Sequence, residues 1–260
     1  MFKRVMVAVV CIPLIFVVFY LLPPVWLPIT VSLLSMIAVH EVLWSTGFVK
    51  NGYISSLSIV LAGLVPFWVY IGQGMRSALV GIFFYFLLIF LVAISSHYTV
   101  TLEKMGGSFF FAMLIPYFLS TFVRLNGLEK GGYLILIPLV AAFASDSFAL
   151  FAGMAFGKHK LAPELSPKKT VEGSVGGLVG AVALCIIYGV VLHVAFKQEV
   201  SYIRFALYGF LGSIVSQIGD LSFSYIKRQY GLKDFGNIFP GHGGVLDRFD
   251  SVIFCAPLME

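Results

Sequence analysis

The chain has 260 residues, 11% of them charged, a formal net charge of +5 and a mean hydropathy of +0.99. A soluble domain carries about 25% charged residues, and 26 Phe with long apolar runs exceed what one soluble core could bury. An ordinary soluble enzyme is excluded, and the positive charge is no nucleic-acid signal; its distribution along the chain is what informs.

A spanning helix needs about 20 apolar residues. Nine stretches qualify as candidates: 5–22, 25–48, 54–72, 78–97, 107–124, 133–157, 174–196, 202–224 and a short last one, 246–260. The expectation is an all-α polytopic membrane bundle of about nine transmembrane helices with its N-terminus in the cytoplasm. Lys3 and Arg4 before the first run resemble the start of a signal peptide. Pro23 and Pro24 follow instead of a small-residue cleavage site, so it reads as a retained first span. With nine spans, 12 of the 17 Lys and Arg share the side of the N-terminus, and Arg76, Arg124, Lys130, Lys197 and Arg204 take the other. The positive-inside rule puts the richer side in the cytoplasm. Loops 158–173 and 225–245 then face cytoplasmic nucleotides. Cys11, Cys185 and Cys255 lie singly in apolar runs, without metal-ligand spacing.

Residues 1–140 carry little chemistry beyond His40 and Glu41 inside the second span. An intramembrane acid is a functional hypothesis by default; the plainer alternative is a Glu41 that faces the bundle interior and pairs with a polar neighbour. Asp146, flanked by Ser145 and Ser147 in the sixth span, costs about 2.5–3.5 kcal/mol by the milder insertion scales. A metal, a lysine, a watery cavity or a structural hydrogen bond would offset that cost. Loop 157–177, GKHKLAPELSPKKTVEGSVGG, gathers Lys158, Lys160, Lys168 and Lys169. Thr170 can cap the following helix, whose glycine-rich start suits an anion; contact with lipid headgroups is the alternative. In the eighth span Asp220, Ser224, Lys227 and Arg228 recur at helical spacing, which lines them up from membrane to water.

Residues 224–250 read SYIKRQYGLKDFGNIFPGHGGVLDRFD. Cations beside glycines beside carboxylates suit a phosphate compound that arrives with a metal ion. Asp247 and Asp250 are three apart and face one way on a helix, while Gly243 and Gly244 permit close approach of the backbone.

At these residues the chain resembles the phosphatidate cytidylyltransferase (CDP-diacylglycerol synthase) family. The matching pattern is Ser224, Lys227, Arg228, Lys233, Asp234, Pro240, His242, Gly243, Gly244, Asp247, Arg248 and Asp250. Asp146, Gly157 to Pro163, Ser166 to Thr170, Glu172 and Gly173 resemble the family as well. Departures are Ser145, Met154 and Val171, where relatives often carry Asn, Arg and an aromatic. The resemblance covers about 140–254 by motif and the first 140 residues by hydropathy alone.

The resemblance implies that CTP and phosphatidic acid give CDP-diacylglycerol and pyrophosphate. It implies Asp220 and Asp247 as principal metal ligands, with Asp146 and Asp250 as ligands or their supports. Two Mg²⁺ sites would suit in-line displacement, with a monovalent cation such as K⁺ admitted in one. Lys227, Arg228, Lys168, Lys169, His242 and Arg248 are expected to clamp phosphates; His242 could instead protonate the leaving pyrophosphate. Lys158, Ser166, Thr170, Ser224, Gly243 and Gly244 complete the expected substrate contacts. The division is 1–140 as a lipid-facing or dimer scaffold and 141–260 as the catalytic region. A homodimer in the bacterial inner membrane, with its active site toward the cytoplasm, is implied too. The rival readings are a CTP-dependent polyprenol or phytol kinase and, from another class, an ion-coupled transporter using Asp146, Asp220 and Glu41.

Overall fold

A computed structural model describes residues 13–49, 51–72, 74–96, 99–238 and 243–260. The described chain is nearly all α-helix, with one two-stranded hairpin. Residues 5–12 of the first expected span, Pro240 and His242 lie outside the described residues. Two compact units emerge: residues 1–124 with 232–248, and residues 125–231 with 249–260.

The first unit contains α1 (Trp26–Ser45), α2 (Gly52–Ile71), α3 (Gly74–Ser95) and α4 (Leu102–Leu119), preceded by a π-helical turn at Val17–Leu21. Asn51 caps α2, its side chain accepting from the N–H groups of Tyr53 (3.0 Å) and Ile54 (3.4 Å), and Gly72 ends that helix at φ +70°. Thr101 caps α4. Apolar faces of these helices bury Val39, Leu43, Ile54, Ala62, Ile89 and Ile115. Hydroxyls stitch the helices where no hydrophobic drive separates protein from lipid. Ser32 Oγ donates to the Gly63 carbonyl (2.8 Å), and Ser58 and Tyr85 share a buried hydrogen bond (3.0 Å).

The short helix α5 (Thr121–Asn126) continues the line of α4. The second unit then holds α6 (Gly131–Leu134), α7 (Ile137–Phe156), strands β1 (Lys160–Ala162) and β2 (Ser166–Thr170), α8 (Val171–Phe196) and α9 (Tyr202–Gln229). Helix α10 (Leu246–Cys255) begins in the first unit and ends in the second, followed by a 3₁₀ turn at Ala256–Met259. The glycines that open α8 serve packing. A Cβ on Gly176 would lie 2.2 Å from that of Ala152, one on Gly177 2.7 Å from the Ser145 carbonyl oxygen, and one on Gly180 2.1 Å from the Phe148 ring. Such small residues let α7 and α8 approach backbone to backbone.

Six helices among the described residues are long and apolar enough to cross a membrane: Trp26–Ser45, Gly52–Ile71, Ala78–Ser95, Leu102–Asn126, Gly131–Phe156 and Val171–Phe196. The architecture is that of an all-α integral membrane protein. The eighth expected span is a 28-residue helix, α9, made less apolar by Ser213, Ser216, Gln217, Asp220, Ser224 and Lys227 along it. The ninth is a 10-residue helix. At about 1.5 Å per residue it covers roughly half the hydrocarbon thickness.

Candidate active site

Loop 158–173 is an antiparallel hairpin that pairs Lys160 with Thr170 and Ala162 with Ser166. Glu172, in the first turn of α8, closes its base. Its carboxylate accepts from the backbone N–H of Lys158 (3.1 Å) and of His159 (3.2 Å), and sits 2.6 Å from His159 Nδ1. Thr170 is the helix cap, its hydroxyl accepting from Gly173 N–H at 3.1 Å. At the hairpin tip Arg228 Nε donates to the Leu165 carbonyl (3.1 Å). Alternate residues of a strand point to opposite faces. Lys169 accordingly forms an ion pair with Asp220 on α9, while Lys168 stays exposed.

On α9 the buried residues Gly212, Ser213, Ser216, Gly219, Phe223, Ser224 and Lys227 follow a three-to-four spacing, and Asp220 lies along the same line. Ser224 Oγ donates to Asp220 Oδ1 at 3.4 Å. Gly219 admits the end of α10: a Cβ there would fall 2.9 Å from the Asp250 carbonyl oxygen. The Asp250 carboxylate lies within electrostatic range of Asp220, Lys227 and Asp146. Lys227 Nζ stands 3.9 Å from Asp250 Oδ2, both side chains nearly buried. Asp250 Oδ1 accepts from Ser251 N–H (2.9 Å), and Ser251 Oγ donates to Asp146 Oδ2 (2.9 Å). One serine thereby links two of the expected carboxylates.

Beneath them is a polar tie between three helices. Ser145 and Ser213 share a hydrogen bond of 2.8 Å. Gln217 Nε2 donates to Ser213 Oγ (3.0 Å), the Ser174 carbonyl (3.2 Å) and Ser145 Oγ (3.4 Å), and Ser174 Oγ donates to Gln217 Oε1.

These groups border a cavity of about 660 Å³. Lys160, Lys168, Lys169, Asp146, Asp220, Thr170, Ser174 and Gln217 supply its polar wall, and Leu150, Met154 and Leu161 its apolar side. A second groove, about 760 Å³, runs along α7 and α8, lined by Phe148, Phe151, Val175 and Val179 with Glu172 as its one charge. It is larger, but nothing in it would hold a polyanion.

In the first unit the other expected residues are organised differently. Asp247 Oδ2 accepts from the N–H groups of Phe235 (2.8 Å) and Gly244 (3.0 Å). Gly243 has φ +81°, and a Cβ on it would meet Asp247 Oδ2 at 2.6 Å, so both reasons for glycine hold there. Glu41 is buried and accepts from Val245 N–H (3.0 Å) and Leu246 N–H (2.8 Å). Arg248 is exposed on α10. His40 is exposed and stacks on Trp44.

The second unit therefore gathers Asp146, Asp220, Asp250, Lys168, Lys169, Lys227, Ser224, Thr170 and Ser166, with Lys158 and Arg228 holding the two ends of the hairpin. Asp247, Gly243, Gly244 and Arg248 belong to the first unit. Among the described residues no three His, Cys, Asp or Glu side chains are clustered as a ready-made metal cage. Two contributors were given no role by the sequence. Ser251 follows Asp250 directly, and Gln217 stands three residues before Asp220 as an amide in an apolar span; each was visible as a polar residue out of place.

The profile of the cytidylyltransferase family matches residues 2–260. The chain belongs to the cytidylyltransferase family. It is 40% identical over 162 residues to a phosphatidate cytidylyltransferase of Bacillus subtilis (strain 168), covering 62% of this chain and 59% of that protein. A phosphatidate cytidylyltransferase of Thermotoga maritima is 36% identical over 157 residues, 60% of this chain and 58% of that one. One from Rickettsia bellii is 35% identical over 182 residues, 67% of this chain and 78% of that one. The matched stretch is thus under two thirds of the length of the first two relatives.

Proposed function

We propose that this protein transfers the cytidylyl group of CTP to the phosphate of phosphatidic acid, releasing pyrophosphate and leaving CDP-diacylglycerol in the membrane. The observation that carries the reading is the 660 Å³ cavity in which Lys160, Lys168 and Lys169 stand against Asp146 and Asp220. Its apolar side suits a lipid and its cationic wall a triphosphate. Membership of the family and relatives bearing the phosphatidate cytidylyltransferase name support the same reaction.

A phosphate oxygen of phosphatidic acid attacks the α-phosphorus of CTP. A new P–O–P bond forms as the bond to the β-phosphate oxygen breaks, and pyrophosphate carries that electron pair away. The nucleophile is already ionised at neutral pH, so positioning and charge stabilisation supply most of the catalysis. Lys169 exchanges Asp220 for a phosphate oxygen when substrate enters, and Lys168 meets the same polyanion from the rim. Lys227 and Arg228 serve as further phosphate clamps, with Arg228 also steadying the hairpin tip through Leu165.

The donor chemistry fits Mg²⁺. Asp146, Asp220 and Asp250 bring three carboxylates within electrostatic range of one another beside Lys169 and Lys227, the oxygen donors that a hard divalent cation takes. Asp220, Asp250 and Asp146 would hold a metal, and Asp247 is retained as a ligand by its place in the pattern. When bound, the metal offsets repulsion between the two anionic substrates. Two such positions, one open to K⁺, belong to the same proposal, as do phosphate contacts from Arg248 and His242. We further place the nine segments with the N-terminus and both polar loops on the cytoplasmic side of a bacterial inner membrane, the protein acting as a homodimer. In this arrangement 1–140 is scaffold and 141–260 carries the chemistry.

The test is product analysis from purified protein in detergent with labelled CTP, phosphatidic acid and Mg²⁺. CDP-diacylglycerol with equimolar pyrophosphate supports the reading. Lipid phosphate with CDP, formed from an alcohol, overturns it in favour of a kinase.

A further inference from the structure

We propose that Glu41 is a positioning residue for this reaction, gripping the glycine loop and the start of α10 from within the membrane-spanning helix α1. The inference rests on the reading above. Three observations carry it. First, the first turn of α10, like that of any helix, holds N–H groups without an intrahelical partner. Two neighbouring ones, on Val245 and Leu246, donate to the two separate oxygens of one carboxylate, Glu41, at 3.0 and 2.8 Å. Second, the glycines around that carboxylate leave room for nothing else. A Cβ on Gly244 would fall 2.2 Å from Glu41 Oε1, and one on Gly236 2.4 Å from the same atom. Third, α1 grips the loop twice. Ser45, one helical turn after Glu41 and on the same face, donates its hydroxyl to the Phe235 carbonyl.

The loop residues are fixed at both ends as a result. Phe235 gives its N–H to Asp247 and its carbonyl to Ser45, and Gly244 gives its N–H to Asp247. Glu41 takes the two N–H groups that follow. Only a carboxylate can accept at both positions. A glutamine presents one accepting oxygen and one NH₂, which would point N–H at N–H. The direction in which Asp247, Gly243 and Arg248 are presented is thereby set by a residue about 200 positions earlier in the chain.

The test compares wild type with Glu41→Gln, Glu41→Ala and Glu41→Asp in the full chain in detergent. Each is measured for kcat and KM per folded protein and for tryptic cleavage after the exposed Lys233 by mass spectrometry. The expected result is a kcat about tenfold lower or worse in Glu41→Gln, with a smaller change in KM for CTP. Cleavage after Lys233 should rise while other sites stay protected, and Glu41→Asp should recover part of both. Unchanged kcat and unchanged Lys233 cleavage overturn the proposal. So does a general rise in cleavage at unchanged kcat, which marks a merely structural acid. If the Gln and Ala variants fail to fold, Glu41→Asp decides by the same two readouts. If wild type makes no CDP-lipid, the reaction reading falls, while Lys233 cleavage still reports whether Glu41 holds the loop.

Discussion

The acids of the two units are satisfied in different ways. In the first unit, Glu41 and Asp247 are hydrogen-bonded by backbone N–H groups of one loop. In the second, Asp146 and Asp220 are met by side chains, Ser251 for the first and Lys169 with Ser224 for the second, while Asp250 pairs with the Lys227 side chain and also accepts the Ser251 backbone N–H. A backbone N–H cannot leave without unmaking the loop, so the first arrangement holds a shape. A lysine or a hydroxyl can rotate away to a phosphate or yield to a metal at little cost to the fold. The second arrangement is therefore suited to exchange, which is what a site that binds and releases polyanions requires.

Asp220→Asn should have the greatest effect on the exchangeable cluster. The fold loses no backbone bond, so thermal stability should hold. Turnover should fall about 100-fold or more, as when a group facing transition-state charge is lost, and added Mg²⁺ should rescue it poorly. Near-normal turnover would end the assignment of Asp220 to the chemistry. Asp247→Asn should separate the two classes. We expect lost Mg²⁺-dependent turnover, together with greater cleavage after Lys233, because Asp247 also holds Phe235 and Gly244. Full activity in that variant would remove Asp247 from the metal ligands.

Lys169→Ala should cost somewhat less, roughly 10- to 100-fold in kcat/KM, mostly through KM for CTP. Lys168, on the opposite face of the strand, remains at the rim. An equal loss in kcat with KM unchanged would instead show that Lys169 acts only at the transition state.

Much of this was legible in the sequence because it is local. Apolar runs gave the helices, and the helical spacing of Asp220, Ser224 and Lys227 placed them along one line of α9. Thr170 was recognisable as a cap. What escaped depends on distant partners. Nothing near Glu41 announces that its bonds go to Val245 and Leu246, and its burial alone left a structural and a functional reading open. The lysine-rich loop is a hairpin because Glu172 reaches back to Lys158 and His159, a closure that composition does not reveal. The run 224–250 looked like one site, yet residues up to 231 pack with one unit and 232–248 with the other. Contiguity in sequence said nothing of that division.

The smallest expected effect concerns the floor of the cavity. Gln217 cross-links α7, α8 and α9 through Ser145, Ser174 and Ser213, three residues before Asp220 and bonded to the residue that precedes Asp146. Replacing it by Leu removes the amide but leaves Ser145 and Ser213 bonded to each other. The stability cost should stay near 1–3 kcal/mol, the range for orphaning buried polar groups. Asp146 and Asp220 keep their own partners, Ser251 for the first and Lys169 with Ser224 for the second, so turnover should fall only several-fold. Thermal unfolding in detergent and kcat per folded protein, measured side by side, check this. A loss of turnover as large as that of Asp220→Asn, at small stability cost, would move Gln217 from the framework of the cavity into its chemistry. The second unit would then exchange partners through an amide as well as through its lysines.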